Sequence, residues 1–340
     1  SPMEMWLDAS KYVEGLMILR ERFNFDGILV SVHGHFLDWR SKIKKLDLVN
    51  GIEIATFENR REVYPDDDLP SAEFLNRHDQ DIDSIQIKNI PEEISYIPSS
   101  RDCHAFIDPE DPFRVFDIID DQAKGNYSIH GEVTSPFDYF LDLLGYENAL
   151  LSLLHNPDKC KQILQRFTNG LVQLAREICK QNIDAVKISS PFAGMGFISP
   201  DQYLEFEQPY IRQIAEVISR SGKLSYVHTC GLIHDRLEYM RDTGTHGLEC
   251  LDPPPIGNVE LEDAFKRIGK DMFVKGNIDP VNTLYNGTEK SITADVCKRL
   301  KIGMQNPGFI LSSACSIAPK TPKENILLLR RLIEQYGYYT

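Results

Sequence analysis

The second half of the chain alternates short apolar runs with longer stretches of helical periodicity. No other feature of the sequence restricts the fold as much. Residues 185–190 (Ala-Val-Lys-Ile-Ser-Ser) read as a strand. A helix follows with Ser199 as N-cap, Pro200 at N1 and Gln202 at N3, which is a capping box, and it runs towards Ser221 and Gly222. Residues 224–229, 247–251, 272–276 and 309–312 read as further strands. Helices are expected to about Asp242, over 260–269 and over 291–305. The last helix is expected to begin with Thr321 as N-cap, Pro322 at N1 and Glu324 at N3, and to end at Gly337. Strands alternating with helices imply parallel strands joined by right-handed crossovers. Upstream, residues 11–22 read as a helix, 27–32 as a strand and 127–131 as another candidate strand. The total approaches eight. We therefore expect an α/β fold of the (β/α)8 TIM-barrel type, with residues 1–340 forming a single domain. An open doubly wound sheet fits less well, because no Gly-x-Gly-x-x-Gly follows a first strand.

Residues 50–125 break the rhythm. They hold Pro65-Asp66-Asp67-Asp68, the acidic run Asp79-Gln80-Asp81-Ile82-Asp83 and several prolines. We read them as an elaborated N-terminal insertion, with extra strands capping the barrel mouth. The acidic run reads as a solvated loop. The net charge of −14 repels phosphate backbones, so nucleic acid is excluded as a partner, while a basic patch on a partner protein would suit it. No run of eighteen apolar residues marks a membrane span, and the first residues have neither the basic nor the apolar region of a signal peptide. The seven cysteines are odd in number and scattered, which is not a disulfide framework. A reducing cytoplasm is the simpler expectation. A cysteine there is buried filler, a metal ligand or a nucleophile.

One constellation carries chemistry. In Tyr226-Val227-His228-Thr229-Cys230-Gly231, residues i and i+2 of a strand share a face, so His228 and Cys230 point the same way at the strand's carboxyl end. That end of a barrel carries the active site. Cys315 follows the carboxyl end of the last strand, and Glu249 ends the strand over 247–251. Zinc takes thiolate, imidazole and carboxylate in tetrahedral geometry, and catalytic sites keep one position exchangeable. We therefore expect zinc on His228, Cys230 and Cys315. Glu249 is either a fourth ligand that substrate displaces or the partner that orients His228. Cys250 would point the other way and reads as core. His33 and His35 share a face at the end of the first strand and read as pocket lining or as surface. Ser189, Asn277 and Asp279 sit at strand ends, as substrate-holding or turn residues.

The segments His228-Thr229-Cys230-Gly231, Pro253-Pro254-Pro255-Ile256-Gly257-Asn258-Val259, Gly276-Asn277-Ile278-Asp279-Pro280 and Ser313-Ala314-Cys315, the last followed by Thr321-Pro322-Lys323-Glu324-Asn325, resemble the uroporphyrinogen decarboxylase superfamily. So do residues 131–137 (Gly-Glu-Val-Thr-Ser-Pro-Phe) and the stretch from Phe192-Ala193-Gly194 to Ser199-Pro200. Within that superfamily the sequence is more similar to the zinc-dependent, corrinoid-linked methyltransferase branch. The likeness covers residues 125–340 well and the first 125 poorly. It implies a (β/α)8 barrel and zinc ligation by His228, Cys230 and Cys315. Cobalamin-independent methionine synthase is similar in its ligands, with a Glu between its two cysteines, and Glu249 holds a comparable place.

The decarboxylase branch carries an Arg-Gln-Ala-Gly-Arg motif that does not occur in this sequence, and it needs no metal. The resemblance thus implies methyl transfer between a small molecule and the cobalt of a corrinoid. The sequence has no Asp-x-His-x-x-Gly cobalamin motif, so the corrinoid is expected on a separate corrinoid-binding protein. The 14 Tyr and 17 Phe lean towards a methoxylated aromatic as the methyl donor, and hence O-demethylation. A thiol of the coenzyme M type or tetrahydrofolate is the alternative. A decarboxylase, or a non-catalytic zinc-binding barrel, comes second.

Overall fold

The computed structural model describes residues 1–32, 36–75, 80–99 and 104–338. His33, His35, Asp79 and Cys103 lie outside the described residues. The chain divides into two compact units, Ser1–Asp184 and Ala185–Thr340.

The first unit opens with helices α1 (Pro2–Leu7) and α2 (Ala9–Phe23) and strand β1 (Gly27–Ser31). Helix α3 (Trp39–Lys42) leads into an antiparallel sheet of β2 (Lys45–Val49), β3 (Ile52–Thr56), β4 (Arg60–Tyr64) and β5 (Ser71–Phe74). Trp39, Ala55, Phe57 and Tyr64 from these elements bury together with Met3 and Leu7 of α1. A two-stranded antiparallel ribbon follows, β6 (Tyr96–Pro98) with β7 (His104–Phe106). Helix α4 (Arg114–Ala123) precedes β8 (Ser128–Thr134), which pairs parallel to β1. Helices α5 (Pro136–Leu144), α6 (Tyr146–His155) and α7 (Pro157–Ile178) complete the unit. The stretch expected as an insertion over 50–125 holds strands β3 to β7, and the four-stranded antiparallel sheet begins earlier, with β2 at Lys45. The last part of the stretch is not strand at all, because α4 buries Val115, Phe116, Ile119 and Ala123 at helical spacing. Within the acidic run, Asp81 accepts from the backbone N–H of Asp83 and caps a short 3-10 turn, with both side chains exposed.

The second unit is a five-stranded parallel sheet in sequence order: β9 (Ala185–Ser189), β10 (Leu224–Thr229), β11 (Gly247–Cys250), β12 (Phe273–Ile278) and β13 (Phe309–Ser313). Between them run α8 (Pro200–Phe206), α9 (Gln208–Arg220), α10 (Leu237–Arg241), α11 (Leu261–Ile268) and α12 (Glu289–Gly303), and α13 (Lys323–Tyr336) closes the chain. Parallel strands are covered on both faces, which is why β10 and β11 read as near-continuous buried runs. The helices present one stripe each. In α11, Leu261, Ala264, Phe265 and Ile268 repeat at i, i+3, i+4 and i+7. Ile292, Val296 and Leu300 of α12 meet Leu328 and Leu332 of α13 in a shared cluster.

Two expectations need correction. The helix opened by the Ser199 capping box does not reach Ser221 in one piece. It breaks at Glu207, between α8 and α9. Pro209 supplies the reason, since it cannot donate in the helical ladder. The break also turns the buried Glu207 to accept a hydrogen bond from the Ser190 hydroxyl at 2.5 Å. Secondly, α13 starts after Pro322, and Thr321 does not cap it. The Thr321 hydroxyl is buried without a hydrogen-bond partner, and its backbone N–H closes a turn onto the Ala318 carbonyl.

The loops after β9 and β10 are tied by Arg236, whose side chain is fully buried. Its guanidinium donates to the Ala193 carbonyl at 2.7 Å, to the Ile198 carbonyl at 3.0 Å and to the Asp235 carboxylate at 2.8 Å. Among the described residues no helix is long and apolar enough to cross a membrane. Arg236→Ala would leave two buried carbonyls and a carboxylate unanswered, so we expect a loss of about 3 kcal/mol in urea unfolding. A loss below about 0.5 kcal/mol, the level of a surface substitution, would show that the loops are held by other contacts.

Candidate metal centre

The register of the parallel sheet sets the site. His228 pairs with Ser189 of β9 on one side and with Glu249 of β11 on the other, and Glu249 pairs with Lys275 of β12. In-register neighbours of a sheet point to the same face. Ser189, His228, Glu249 and Lys275 therefore form one row across four strands. The row is wired together. His228 Nδ1 lies 2.8 Å from Glu249 Oε2, and the Lys275 ammonium is paired with Glu249 Oε1. Lys275 also stands 5.2 Å from the centre of the Tyr226 ring.

The other imidazole nitrogen looks towards sulfur. His228 Nε2 lies 3.2 Å from Cys230 Sγ, and Cys230 Sγ lies 3.5 Å from Cys315 Sγ. Cys230 is the first residue past β10, on the face of His228 as the i, i+2 spacing requires. Cys315 is delivered by β13, whose pairing with β12 extends to the bond from Ala314 N to the Ile278 carbonyl at 2.7 Å. The donor atoms of His228, Cys230 and Cys315 all lie within 4.8 Å of one another, and each residue is partly exposed. A tetrahedral zinc ion with sulfur at about 2.3 Å and nitrogen at about 2.0 Å holds two sulfurs about 3.8 Å apart and sulfur and nitrogen about 3.5 Å apart. The donor set and its spacing fit such an ion.

Glu249 does not join that trio. In this structure its carboxylate lies behind the imidazole, with one oxygen on His228 and the other on Lys275. Its carboxylate fixes the Nδ1 side of the ring and leaves Nε2 for the sulfurs. The electrostatics follow from this arrangement. Burial opposes charge on Glu249, yet the hydrogen bond to His228 and the charges of Lys275 and Lys187 hold its carboxyl well below the usual range. Burial likewise pushes the His228 imidazole down, but its contacts with Cys230, Cys315 and Glu249 outweigh burial and lift its pKa well above the ordinary value. Contacts with Cys230, Cys250 and His228 push the Cys315 thiol below its usual pKa.

Cys250 is core as expected, but its side chain does not point away from Cys230. A regular strand would bury it in the core, opposite Glu249. It is fully buried, but its sulfur, the Cys230 sulfur and a carboxylate oxygen of Asp252 all lie within 4.8 Å of one another. The backbone turns left-handed at Cys250 (φ +87°) and Leu251 (φ +54°), which swings the side chain round. A Cβ on Gly276 would come within 2.6 Å of the Cys250 carbonyl, so the neighbouring strand must carry glycine there. Cys160, Cys179 and Cys297 are in no disulfide and belong to neither group of candidate donors, and the first two are buried.

The weaker candidates fall out differently. Ser189 lies in the row beside His228. Asn277 is buried, and its amide donates to the carbonyls of Leu251 at 2.9 Å and Val259 at 3.3 Å while its oxygen accepts from Arg299. Asp279 caps the turn after β12, accepting from Val281 N and Asn282 N, both at 2.8 Å. Both residues serve the fold in this structure. Lys275 and Lys187 were missed in sequence. Their signal was a lone lysine inside an otherwise apolar strand.

Comparison with known proteins bears on the family. Over 219 residues the chain is 25% identical to a methylcobamide:CoM methyltransferase MtaA of Methanosarcina barkeri, a match covering 64% of this chain and 61% of that relative. It thus spans about three fifths of the length of the methyltransferase relatives it matches. It is also 25% identical over 352 aligned positions to a uroporphyrinogen decarboxylase of Chlorobaculum parvum, covering 98% of this chain and 93% of that one. A solved methyltransferase from Methanosarcina mazei superposes with a TM-score of 0.69 at 18% identity, covering 98% of this chain and 87% of that chain. That likeness shows the fold, and the chain has the (β/α)8-barrel class expected from its sequence. Residues 98–336, well over half of the 340, match one family throughout. The chain belongs to the uroporphyrinogen decarboxylase (URO-D) family.

Proposed function

We propose that this chain is a zinc-dependent methyltransferase that exchanges a methyl group between a small molecule and the cobalt of a corrinoid held by a separate protein. One observation carries the reading: the trio of His228, Cys230 and Cys315, with Glu249 locked behind the imidazole. His228 Nε2, Cys230 Sγ and Cys315 Sγ would hold the ion. Zinc in such a set keeps a bound thiol deprotonated near neutral pH or polarises a bound oxygen. The protein's own part is orientation. Glu249 fixes the ring, and Lys275 and Lys187 keep Glu249 charged.

The substrate is proposed to be a thiol. Relatives are named methylcobamide:CoM methyltransferase and methylated-thiol–coenzyme M methyltransferase. A methoxylated aromatic, the first expectation, rests only on aromatic content. A cytoplasmic setting and the organisation of residues 1–340 as one barrel domain with an N-terminal insertion belong to the same proposal. The match to a decarboxylase along nearly the whole chain favours the rival activity, and the assay should include it.

The test is methyl transfer from methylcobalamin to 2-mercaptoethanesulfonate, followed by loss of the methylcobalamin spectrum. We expect turnover with zinc-loaded protein and a loss of about a hundredfold or more after chelation. Turnover that survives complete metal removal, or metal-free decarboxylation of a porphyrinogen, would overturn the reading. Glu249→Gln keeps the shape but loses the charge on Nδ1. We expect zinc affinity to fall about 10–100-fold, measured by chelator competition. An unchanged affinity would mean that the ring is oriented without the carboxylate. Metal ligation needs His228 Nε2 unprotonated, and the contacts that raise its pKa favour the protonated ring. Apparent zinc affinity should therefore rise with pH, about tenfold per unit for each proton released, and fall on acidification. A flat profile between pH 6 and 8 would contradict the assignment of His228.

A further inference from the structure

We infer that the amino-terminal unit holds a binding site of its own, a cavity that takes a carboxylate borne on an aromatic body through the guanidinium of Arg60. The inference is independent of the metal-centre reading. Every residue that lines the cavity belongs to Ser1–Asp184, and only His104, Ala105 and Phe106 among them fall within the residues 98–336 that match the family.

Three observations carry it. The first is the cavity. It measures about 430 Å³ and lies between α1, α3, the turn from β3 to β4, and β7. Small-molecule sites fall in the range of about 300–1,000 Å³ and are mostly apolar with a few placed polar groups. Trp6, Phe36, Trp39, Phe57 and Phe106 give this one aromatic walls. The second observation is Arg60. Its Nε is paired with Glu62, a carboxylate whose side chain is only 1% exposed and whose other oxygen accepts from the Tyr64 hydroxyl. Its guanidinium carbon lies 4.2 Å from the centre of the Phe57 ring and 4.5 Å from that of Phe106. The cation is thereby held in place over two rings with one edge pinned. Its two Nη groups make no hydrogen bond among the described residues, although the side chain is only 15% exposed. Donors left over in a half-closed space mark a place for an acceptor. Two coplanar Nη groups match the two oxygens of a carboxylate.

The third observation is charge. Lys42, Lys44 and Arg60 line the cavity against Glu58 and Glu62, so its lining is positive in a chain of net charge −14. Glu58 is matched by Lys44 at 3.0 Å, and both oxygens of Glu62 are taken by Arg60 and Tyr64. Neither carboxylate has an oxygen to spare against an incoming anion. Lys42 has the exposed Asp38 at 3.2 Å, so Arg60 is the cation with donors to offer. A neutral aromatic would fill the walls and leave those donors unanswered, which is the physical basis for selecting the anion.

The two tryptophans of the chain, Trp6 and Trp39, both line the cavity, so intrinsic fluorescence reports on it directly. Full-length protein is titrated with biphenyl-4-carboxylate and, in parallel, with the neutral biphenyl-4-carboxamide, and calorimetry supplies a second readout. We expect a saturable change with the carboxylate, with a dissociation constant below about 1 mM, and binding of the carboxamide weaker by about tenfold or more. Arg60→Lys keeps a positive charge beside Glu62 but has no fork, and should weaken the carboxylate by about tenfold with the circular dichroism unchanged. The carboxamide comparison reads the same dependence on wild type, so the test stands even if the variant does not fold. No saturable change with the carboxylate, or equal affinity for carboxylate and carboxamide, would overturn the site. A folded Arg60→Lys that binds the carboxylate as wild type does would overturn the role of Arg60. Metal content does not enter, so failure of this site would leave the metal-centre reading standing.

Discussion

The parallel register of β9 to β12 is the constraint on which the site depends. It sets Ser189, His228, Glu249 and Lys275 side by side on one face. Because side chains alternate with period two, a slip of one residue in any of these pairings would turn its member of the row to the other face. Glu249 shows why the row must stay intact. A buried carboxylate is costly unless its charge is matched, and here one oxygen faces an imidazole and the other an ammonium. The imidazole thus fixed presents Nε2 to the thiols. The chain of cause runs from strand register to ion pair to ring orientation to metal-ligand geometry.

The thiols come to that ring by different routes. Cys230 follows from spacing on β10. Cys315 arrives from β13, two strands beyond Glu249, so the trio can form only if the sheet curls enough to bring β13 towards β10. Cys250 is set beside Cys230 and Asp252, not in the trio, by a left-handed kink that glycine at 276 on the adjoining strand leaves room for. The molecule carries a net charge of −14, yet Lys275 in the row and Lys187, two residues before Ser189 on β9, both support one carboxylate. Local charge at the site is thus arranged independently of the surface.

Much of this was legible in the sequence. The five strands of the second unit and the helices between them follow from apolar runs, capping signals and helical stripes, each a local effect. The face shared by His228 and Cys230 follows from period two. What was hidden depends on tertiary context. The break at Glu207 had a local signal in Pro209, but the partner that the buried Glu207 finds in Ser190 depends on tertiary context. The side-chain direction of Cys250 depends on positive φ at two ordinary residues, which no local propensity announces. The substrate-holding roles considered for Asn277 and Asp279 could not be separated from turn-making, because both uses favour the same residue types at strand ends. The lysines of the row were visible, as charges in apolar strands, but their meaning required the register.

The most direct measurement is the metal content of purified wild type and Cys315→Ser by mass spectrometry, after incubation with zinc and removal of excess. The account predicts about one zinc per chain in wild type and most of it lost in the variant, with both proteins folded. A folded wild type that retains no zinc, or a variant that retains as much as wild type, would contradict it.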